Sequence, residues 1–404
     1  MLTLGDIQAA KARIAGRVDE TPLSRDEVLR QRSGASDVFC KLENLQRTGS
    51  FKVRGAFNKL LLLSEPERAK GVIGASAGNH AQGLAYAAGI LGIQATIVMP
   101  VRSPLIKISN TRGFGARVIL KGDNYDDAYQ EALAVQAREG SLLVHAFNDP
   151  TVIAGQGTLG LELIEQMPDV DIVVIPVGGG GVAVGTALAV KSARPQVRVF
   201  GVQTAAVPSL RRALEAGTPV EVPAASTLAD GIAIRRTGEH TLELAKRYID
   251  DILTVDDEDI ASAILHLLER EKTVAEGAGA AAVAALLHDK VPNVRGKRVV
   301  AVLTGGNIDV NLVSRIIERG LVRDGRRVRL TVTVPDRPGL LARFTAALAE
   351  QGGNVIEIHH ERASSRTPLG DVEIQVTLET RGRSHVDEIQ EALSQKGLIV
   401  REEK

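Results

Sequence analysis

The sequence predicts an α/β chain of two lobes followed by a separate, smaller βαββαβ module. Three observations carry that expectation. Between about residues 70 and 310, short β-branched runs alternate with helix-like stretches, the pattern of a parallel sheet covered on both faces. The runs are many and break near Pro150, which points to two α/β lobes rather than one sheet. Beyond the arginine-rich "RGLVRDGRRVR" the texture changes, and the remaining chain reads strand, helix, strand, strand, helix, strand.

In chain order, "GVIGA" reads as a strand that precedes the helical "AQGLAYAAGILG". "QATIVMP" and "ARVILKG" read as further strands, each with its own helical segment. "LLVHAFN", "DIVVIPVGGGG", "VRVFGVQ", "DILTV" and "KRVVAVLTGG" continue the alternation. Five arginines between residues 319 and 329 read as a solvated linker, because the chain as a whole is neutral. The following "VRLTVTVPDRPGLLARFTAALAEQGGNVIEIHHER" reads strand, turn, amphipathic helix, strand. "GDVEIQVTLE", a helix from about His385 and a short strand at "GLIV" complete a ferredoxin-like order.

Composition narrows the function classes. At 404 residues the chain is long enough for two or three buried cores. Basic and acidic side chains both number 49, so charge gives no reason to expect nucleic acid or an anionic membrane as partner. No apolar run approaches the roughly 20 residues of a membrane span. The N-terminus lacks an apolar signal core, and the lone Cys40 excludes an intrachain disulfide and fits a reducing compartment. A cytoplasmic protein is the expectation. Eight histidines include no His-Glu-x-x-His or Cys/His cluster, so no metal is expected.

Three polar loops fall where strands run out, the place at which open α/β sheets bind ligands. "SAGNHAQG" places Ser76, Ala77, Gly78, Asn79 and His80 at a helix start, whose free N–H groups suit a carboxylate. Gly178, Gly179, Gly180 and Gly181 can turn several backbone N–H groups inward as an anion cradle. The third loop, "LTGGN", carries Thr304. The tetraglycine is no dinucleotide fingerprint, since no acidic residue ends the next strand, and a Walker-type Gly-Lys-Ser/Thr is missing. Any of the three loops can be purely structural, and Lys52 can be an exposed lysine beside a helix start. Against that reading, Lys52 follows Thr48, Gly49, Ser50 and Phe51, a small-residue turn and an aromatic that together desolvate an amine. A neutral lysine can form a Schiff base with an aldehyde cofactor. Lysine, phosphate cradle and carboxylate loop together point to pyridoxal 5'-phosphate and an amino-acid substrate.

"KLENLQRTGSFKVRGA", "SAGNHAQG", "GGGG" and "VLTGGN", in this order and spacing, resemble the fold-type II pyridoxal-phosphate enzymes, most closely the threonine dehydratases (threonine ammonia-lyases). "DRPGLLARFTAALAEQGGNVIEI" resembles an ACT domain, a small amino-acid-sensing module. The resemblance implies a two-lobed, tryptophan synthase β-like catalytic domain at 1–320, with the smaller lobe, about 50–150, inserted in the larger. A linker at 321–327 and an ACT domain at 328–404 would follow.

Carried over by residue, the resemblance makes Lys52 the cofactor-bound lysine and Phe51 its ring neighbour. Asn79 would bond the phenolic oxygen, and the four glycines the phosphate. Thr304 would stand beside the pyridine nitrogen, where the family usually has serine. The implied reaction is β-elimination of L-threonine to 2-oxobutanoate and ammonia, with L-serine weaker and Lys52 as general base. Serine racemases share these motifs but carry a serine as second base where this chain has Ala77. Those relatives also hold a divalent cation through acidic side chains, which "GVQTAAVPS" lacks. A serine racemase/dehydratase, a β-replacement enzyme of the same fold and a catalytically silent amino-acid sensor are the alternatives. In the C-terminal module Gly339 and Asn354 would mark the effector site, and a homo-oligomer, dimer or tetramer, is expected.

Overall fold

The structure, a computed structural model, describes residues 2–362 and 368–403. The chain divides into two compact units, Met1–Asp309 and Val310–Lys404.

In the first unit the strands are β1 (Leu23–Arg25), β2 (Asp37–Leu42), β3 (Val72–Ala75), β4 (Ala95–Met99), β5 (Arg117–Leu120), β6 (Leu142–Leu143), β7 (Ile172–Pro176), β8 (Arg198–Thr204), β9 (Asp251–Val255) and β10 (Arg298–Leu303). They form a six-stranded sheet in the order β1-β2-β10-β7-β8-β9 and a four-stranded sheet in the order β5-β4-β3-β6. All pairings are parallel except β1 with β2. β3, β4 and β7 are buried along their whole length, which explains why they read as continuous apolar runs. The β1–β2 edge was not legible as strand. Its sequence, "DVFCKL", alternates half-buried with buried positions and lies against β10 on one side only in parallel fashion. "LLVHAFN" contributes just two strand residues before the chain turns into the site.

Helix packing sets where the site falls. The helix Pro150–Gln166 starts with Asp149 as N-cap, its carboxylate accepting from Thr151 and Val152 N–H, and with proline in its first turn. It crosses two other helices closely, Lys52–Leu61 and Gly181–Ala193. A Cβ on Gly155 would lie 2.5 Å from Arg54 O, and one on Gly160 2.7 Å from Thr186 O. Only glycine allows that approach. Arg54 then locks the Lys52 helix in place from within the core. Its fully buried guanidinium grips Glu43 through two bonds, 2.7 and 2.8 Å, and Glu162 through two more, 2.5 and 2.9 Å. Lys41 adds a 2.9 Å contact to Glu162. Burial alone would raise the Glu43 carboxyl, but the charge and hydrogen bonds of Arg54, with Thr21 and Lys41, hold it below its ordinary value.

The second unit opens with the helix Val310–Arg323, followed by β11 (Arg327–Pro335), the helix Leu340–Glu350, β12 (Asn354–Glu361), β13 (Asp371–Glu379), the helix Arg383–Gln395 and β14 (Val400–Glu403). The sheet runs β12-β13-β11-β14, all antiparallel, over a core that includes Phe344, Ile374 and Ile389. Two expectations are corrected here. Of the expected linker at 321–327, only residues 324–326 lie outside regular structure, because Leu321 to Arg323 complete a helix whose Ile316 and Gly320, one turn apart, are buried, and Arg327 opens β11. Their arginines meet local carboxylates, Arg323 with Asp324 and Arg327 with Glu318. The last strand also starts later than expected, at the final residue of "GLIV": pairing of Val332 with Val400 and of Arg329 with Glu403 fixes it at Val400–Glu403.

Candidate active site

A cavity of about 1090 Å³ opens at the carboxyl ends of β3 and β7 and beside the end of β10. The sequence-predicted residues Phe51, Lys52, Ser76, Ala77, Gly78, Asn79, His80, all four glycines and Thr304 line it. The three loops are thus brought to one place.

Lys52 is half-buried at the first position of its helix, and its Nζ donates to Ala146 O at 2.9 Å. The Phe51 ring centroid lies 5.1 Å from Nζ. Burial lowers the amine to about 8, against the pull of the Glu276 carboxylate, which raises it. The carbonyl that receives Nζ is held by a residue the sequence reading missed. His145 Nδ1 accepts the N–H groups of Phe147 (3.2 Å) and Asn148 (2.9 Å), folding the turn around Ala146. Burial, then the Lys52 charge, bring this imidazole down to about 4, so it is neutral and free to accept.

Asn79 is clamped from two sides. Its Nδ2 donates to Glu276 Oε1 at 2.5 Å, and its Oδ1 accepts from Asn307 Nδ2 at 2.8 Å. Asn307 also donates to Thr48 O at 2.8 Å. The glycines of "LTGGN" make room for this: a Cβ on Gly305 would sit 2.6 Å from Glu276 Oε1 and 3.0 Å from Asn79 Nδ2. Glu276, also missed from sequence, is the N-cap of the helix Gly277–Leu287 and is almost fully buried. Burial and the Asp230 carboxylate push it up to about 7, against Lys107, Asn79 and Lys52. Only its position among small residues, in "AEGAGAA", marks it in the sequence, and many caps look the same.

Within the Ser76 loop, Ser76 Oγ accepts from Gly78 N–H at 3.1 Å. Asn79 and His80 start a helix, whose first-turn N–H groups have no intrahelical acceptor. The His80 ring is not available to a ligand. Its Nε2 is bonded to Val144 O at 2.9 Å, and burial, then the Lys52 charge, lower it to about 3. What His80 offers the cavity is backbone.

The glycine cradle fits a phosphate. A Cβ on Gly179 would lie 2.2 Å from the Phe147 ring, and one on Gly181 2.5 Å from Gln156 Oε1. Gly180, at φ +93°, adopts a backbone that other residues avoid. The helix Gly181–Ala193 begins at once, so its unpaired N–H groups face an anion at this end. Lys52 beside this cradle, and the nearly buried Thr304 on the adjoining loop, make the donor set that pyridoxal phosphate requires. At the mouth, Lys107 meets Asp230 at 3.1 Å and Arg235 meets Asp126 at 2.8 Å.

In the second unit Gly339, at φ +85°, precedes the helix Leu340–Glu350, and Asn354 Nδ2 donates to Glu379 at 3.0 Å.

The two-lobed fold, the amine and the cradle define a pyridoxal-phosphate enzyme of fold type II. The chain belongs to the pyridoxal-phosphate dependent enzyme family, which it matches over residues 14–305, and it carries an ACT domain at 328–397. It is 51% identical over 401 residues to an L-threonine ammonia-lyase of Thermotoga maritima, covering 99% of both chains. Among solved structures, it resembles the processed threonine deaminase isoform 2 of Solanum lycopersicum at TM-score 0.74 and 37% identity, over 78% of this chain and 86% of that one. Maize serine racemase is similar at TM-score 0.75 and 32% identity, over 80% of this chain and 98% of the other. No described helix is long and apolar enough to cross a membrane.

Proposed function

We propose that the chain is a threonine ammonia-lyase that converts L-threonine to 2-oxobutanoate and ammonia. The observation that carries the reading is the Lys52 amine opening onto the same cavity as the tetraglycine, in a chain so similar in full length to an L-threonine ammonia-lyase.

Pyridoxal phosphate, when bound, supplies the aldehyde that captures an amino group and the ring that takes up electrons from Cα. The chain's own residues do the rest. Backbone N–H groups of Gly178, Gly179, Gly180 and Gly181 take the phosphate. Asn79, steadied by Glu276 and Asn307, would offer its remaining N–H to the ring's phenolic oxygen. Thr304 would offer a neutral hydroxyl to the ring nitrogen, and Phe51 would pack near the ring. Lys52 would hold the aldehyde end of the group, and its amine would take the substrate's Cα proton as general base. An amine held near 8 keeps a neutral fraction at neutral pH, which a general base requires. The proton for the departing β-hydroxyl would come from Lys52, then protonated, or from the bound phosphate. The loop from Ser76 through Ala77 and Gly78 to His80 receives the substrate carboxylate on backbone N–H groups.

L-Serine lacks one methyl, and such a contact discriminates by about 1–3 kcal/mol, so serine turns over more weakly to pyruvate. The likeness to serine racemase favours racemisation as a second reading, but Ala77 offers no second base. The ACT domain supports control by an amino acid bound near Gly339 and Asn354, with isoleucine or valine as effectors that fit a threonine-consuming step. A cytoplasmic homo-oligomer, dimer or tetramer, completes the reading.

The test is an assay of purified protein for 2-oxobutanoate from L-threonine, pyruvate from L-serine and D-serine from L-serine. Threonine turnover exceeding serine turnover, with D-serine a minor product at most, supports the lyase. Predominant D-serine formation would replace it with the racemase reading.

A further inference from the structure

Gln156 lies between the two anchors of the cofactor site, the Lys52 amine and the glycine cradle. It belongs to the helix Pro150–Gln166 and is fully buried, with 0% exposure. That helix crosses the Lys52 helix at Gly55, where a Cβ would stand 3.1 Å from Gln156 Cγ. At the tip of the side chain, Gln156 Oε1 would stand 2.5 Å from a Cβ on Gly181, the first residue of the cradle helix.

Two donors converge on one carbonyl. Lys52 Nζ donates to Ala146 O at 2.9 Å, and Gln156 Nε2 donates to the same oxygen at 3.4 Å. A carbonyl oxygen has two lone pairs and can accept both. The turn around Ala146 is thus held twice, by the His145 ring, which accepts from Phe147 and Asn148, and by the Gln156 amide. Keeping Nε2 at Ala146 O leaves Gln156 Oε1 buried without a hydrogen-bond partner among the described residues. Turned over, the amide would set oxygen against oxygen at Ala146. A side chain that only filled the helix crossing would do better as an apolar one of the same length, because a buried unpaired acceptor is destabilising. The amide is therefore accounted for by what it does at Ala146 O.

We propose, on the reading that Lys52 takes the cofactor's aldehyde, that Gln156 is the positioning residue that frees its amine from Ala146 O. When the neutral amine condenses with the aldehyde, one water leaves and Nζ keeps at most one hydrogen. Ala146 O then loses its nearer donor. With Gln156 in place the carbonyl stays paired, and release of Nζ is easy. Without it, release would leave a half-buried acceptor unpaired, which favours the amine staying where it is. Because the same side chain also abuts Gly181, it keeps one spacing between the resting amine and the start of the cradle helix.

The test compares full-length wild type with Gln156→Met, which keeps the length and loses the N–H, both as apoprotein. Two probes are titrated by fluorescence: pyridoxal phosphate, and pyridoxine 5'-phosphate, which has the same ring and phosphate but an alcohol in place of the aldehyde. The expected result is capture of pyridoxal phosphate weakened about tenfold in the variant, with pyridoxine phosphate bound equally by both. Equal capture of pyridoxal phosphate by wild type and variant would overturn the proposal. So would equal weakening of both probes, the sign of a packing role alone. A wild type that binds pyridoxine phosphate but shows no absorbance of covalently held cofactor would instead remove Lys52 from its assigned role, and the proposal with it. Gln156→Glu serves where circular dichroism shows Gln156→Met unfolded. A carboxylate beside Nζ favours the charged amine, so capture should move to higher pH than in wild type, and an unmoved pH curve would overturn the proposal.

Discussion

Asn79 hands its amide hydrogen to Glu276, 197 residues later in the chain, across 2.5 Å. The bond ties the loop after β3 to the N-cap of the helix Gly277–Leu287 at the cavity. A hydrogen bond to a charged group contributes about 1.5–3 kcal/mol. Glu276→Gln keeps the shape and removes the charge. The expected outcome is a fall of about 10- to 150-fold in kcat/KM for L-threonine, measured by steady-state 2-oxobutanoate release.

Glu276 also acts on Lys52, and the sign of that effect is testable. The lysine's amine lies low, at about 8, because of burial, while Glu276 favours its charged form. Below that pH the amine is protonated and cannot attack an aldehyde. Reconstitution of apoprotein with pyridoxal phosphate should therefore speed up with rising pH and level off above about 8. In Glu276→Gln the anion is gone and the curve should move to lower pH. Stopped-flow absorbance across a pH series reads both.

Gly179 has no room for a methyl group, since its Cβ would lie 2.2 Å from the Phe147 ring. Overpacking of this kind costs about 1–3 kcal/mol. Gly179→Ala should weaken pyridoxal-phosphate binding by about tenfold or more, measured by fluorescence titration. Phe147→Leu combined with it should recover part of the loss.

Arg54 stands two residues after Lys52 but points into the core, against Glu43 and Glu162. Removing one partner of a buried ion cluster leaves the others uncompensated, at a cost of about 3–5 kcal/mol. Arg54→Met should lower stability by that amount in urea unfolding of the holoenzyme. Replacing an exposed partner elsewhere, as in Arg212→Ala beside Glu215, should change it by less than about 1 kcal/mol.

Much of this site was legible before the structure because its parts are local. Continuous buried runs such as β7, followed at once by four glycines, are visible in any window of the sequence. Lys52, with its crowded approach, is visible in the same way. What stayed hidden depends on contacts across long separations. Glu276 looks like any helix cap until Asn79 meets it, and His145 like any polar residue until its ring folds the turn at Ala146. The β1–β2 edge is short and half-buried, so it lacks the apolar density that marked the other strands. In the 319–329 segment the arginines masked a helical face on which only Ile316 and Gly320 are buried. His80 was legible as part of a helix start with free N–H groups, but the partner of its ring, Val144 O, was not, because that contact spans 64 residues.

The most direct measurement is L-threonine turnover by the holoenzyme beside Lys52→Ala, with cofactor added to both and its absorbance followed. The account predicts 2-oxobutanoate from the wild type, and from the variant neither product nor the absorbance of covalently held cofactor. Undiminished turnover in Lys52→Ala, or no keto acid from a wild type that holds its cofactor, would contradict it.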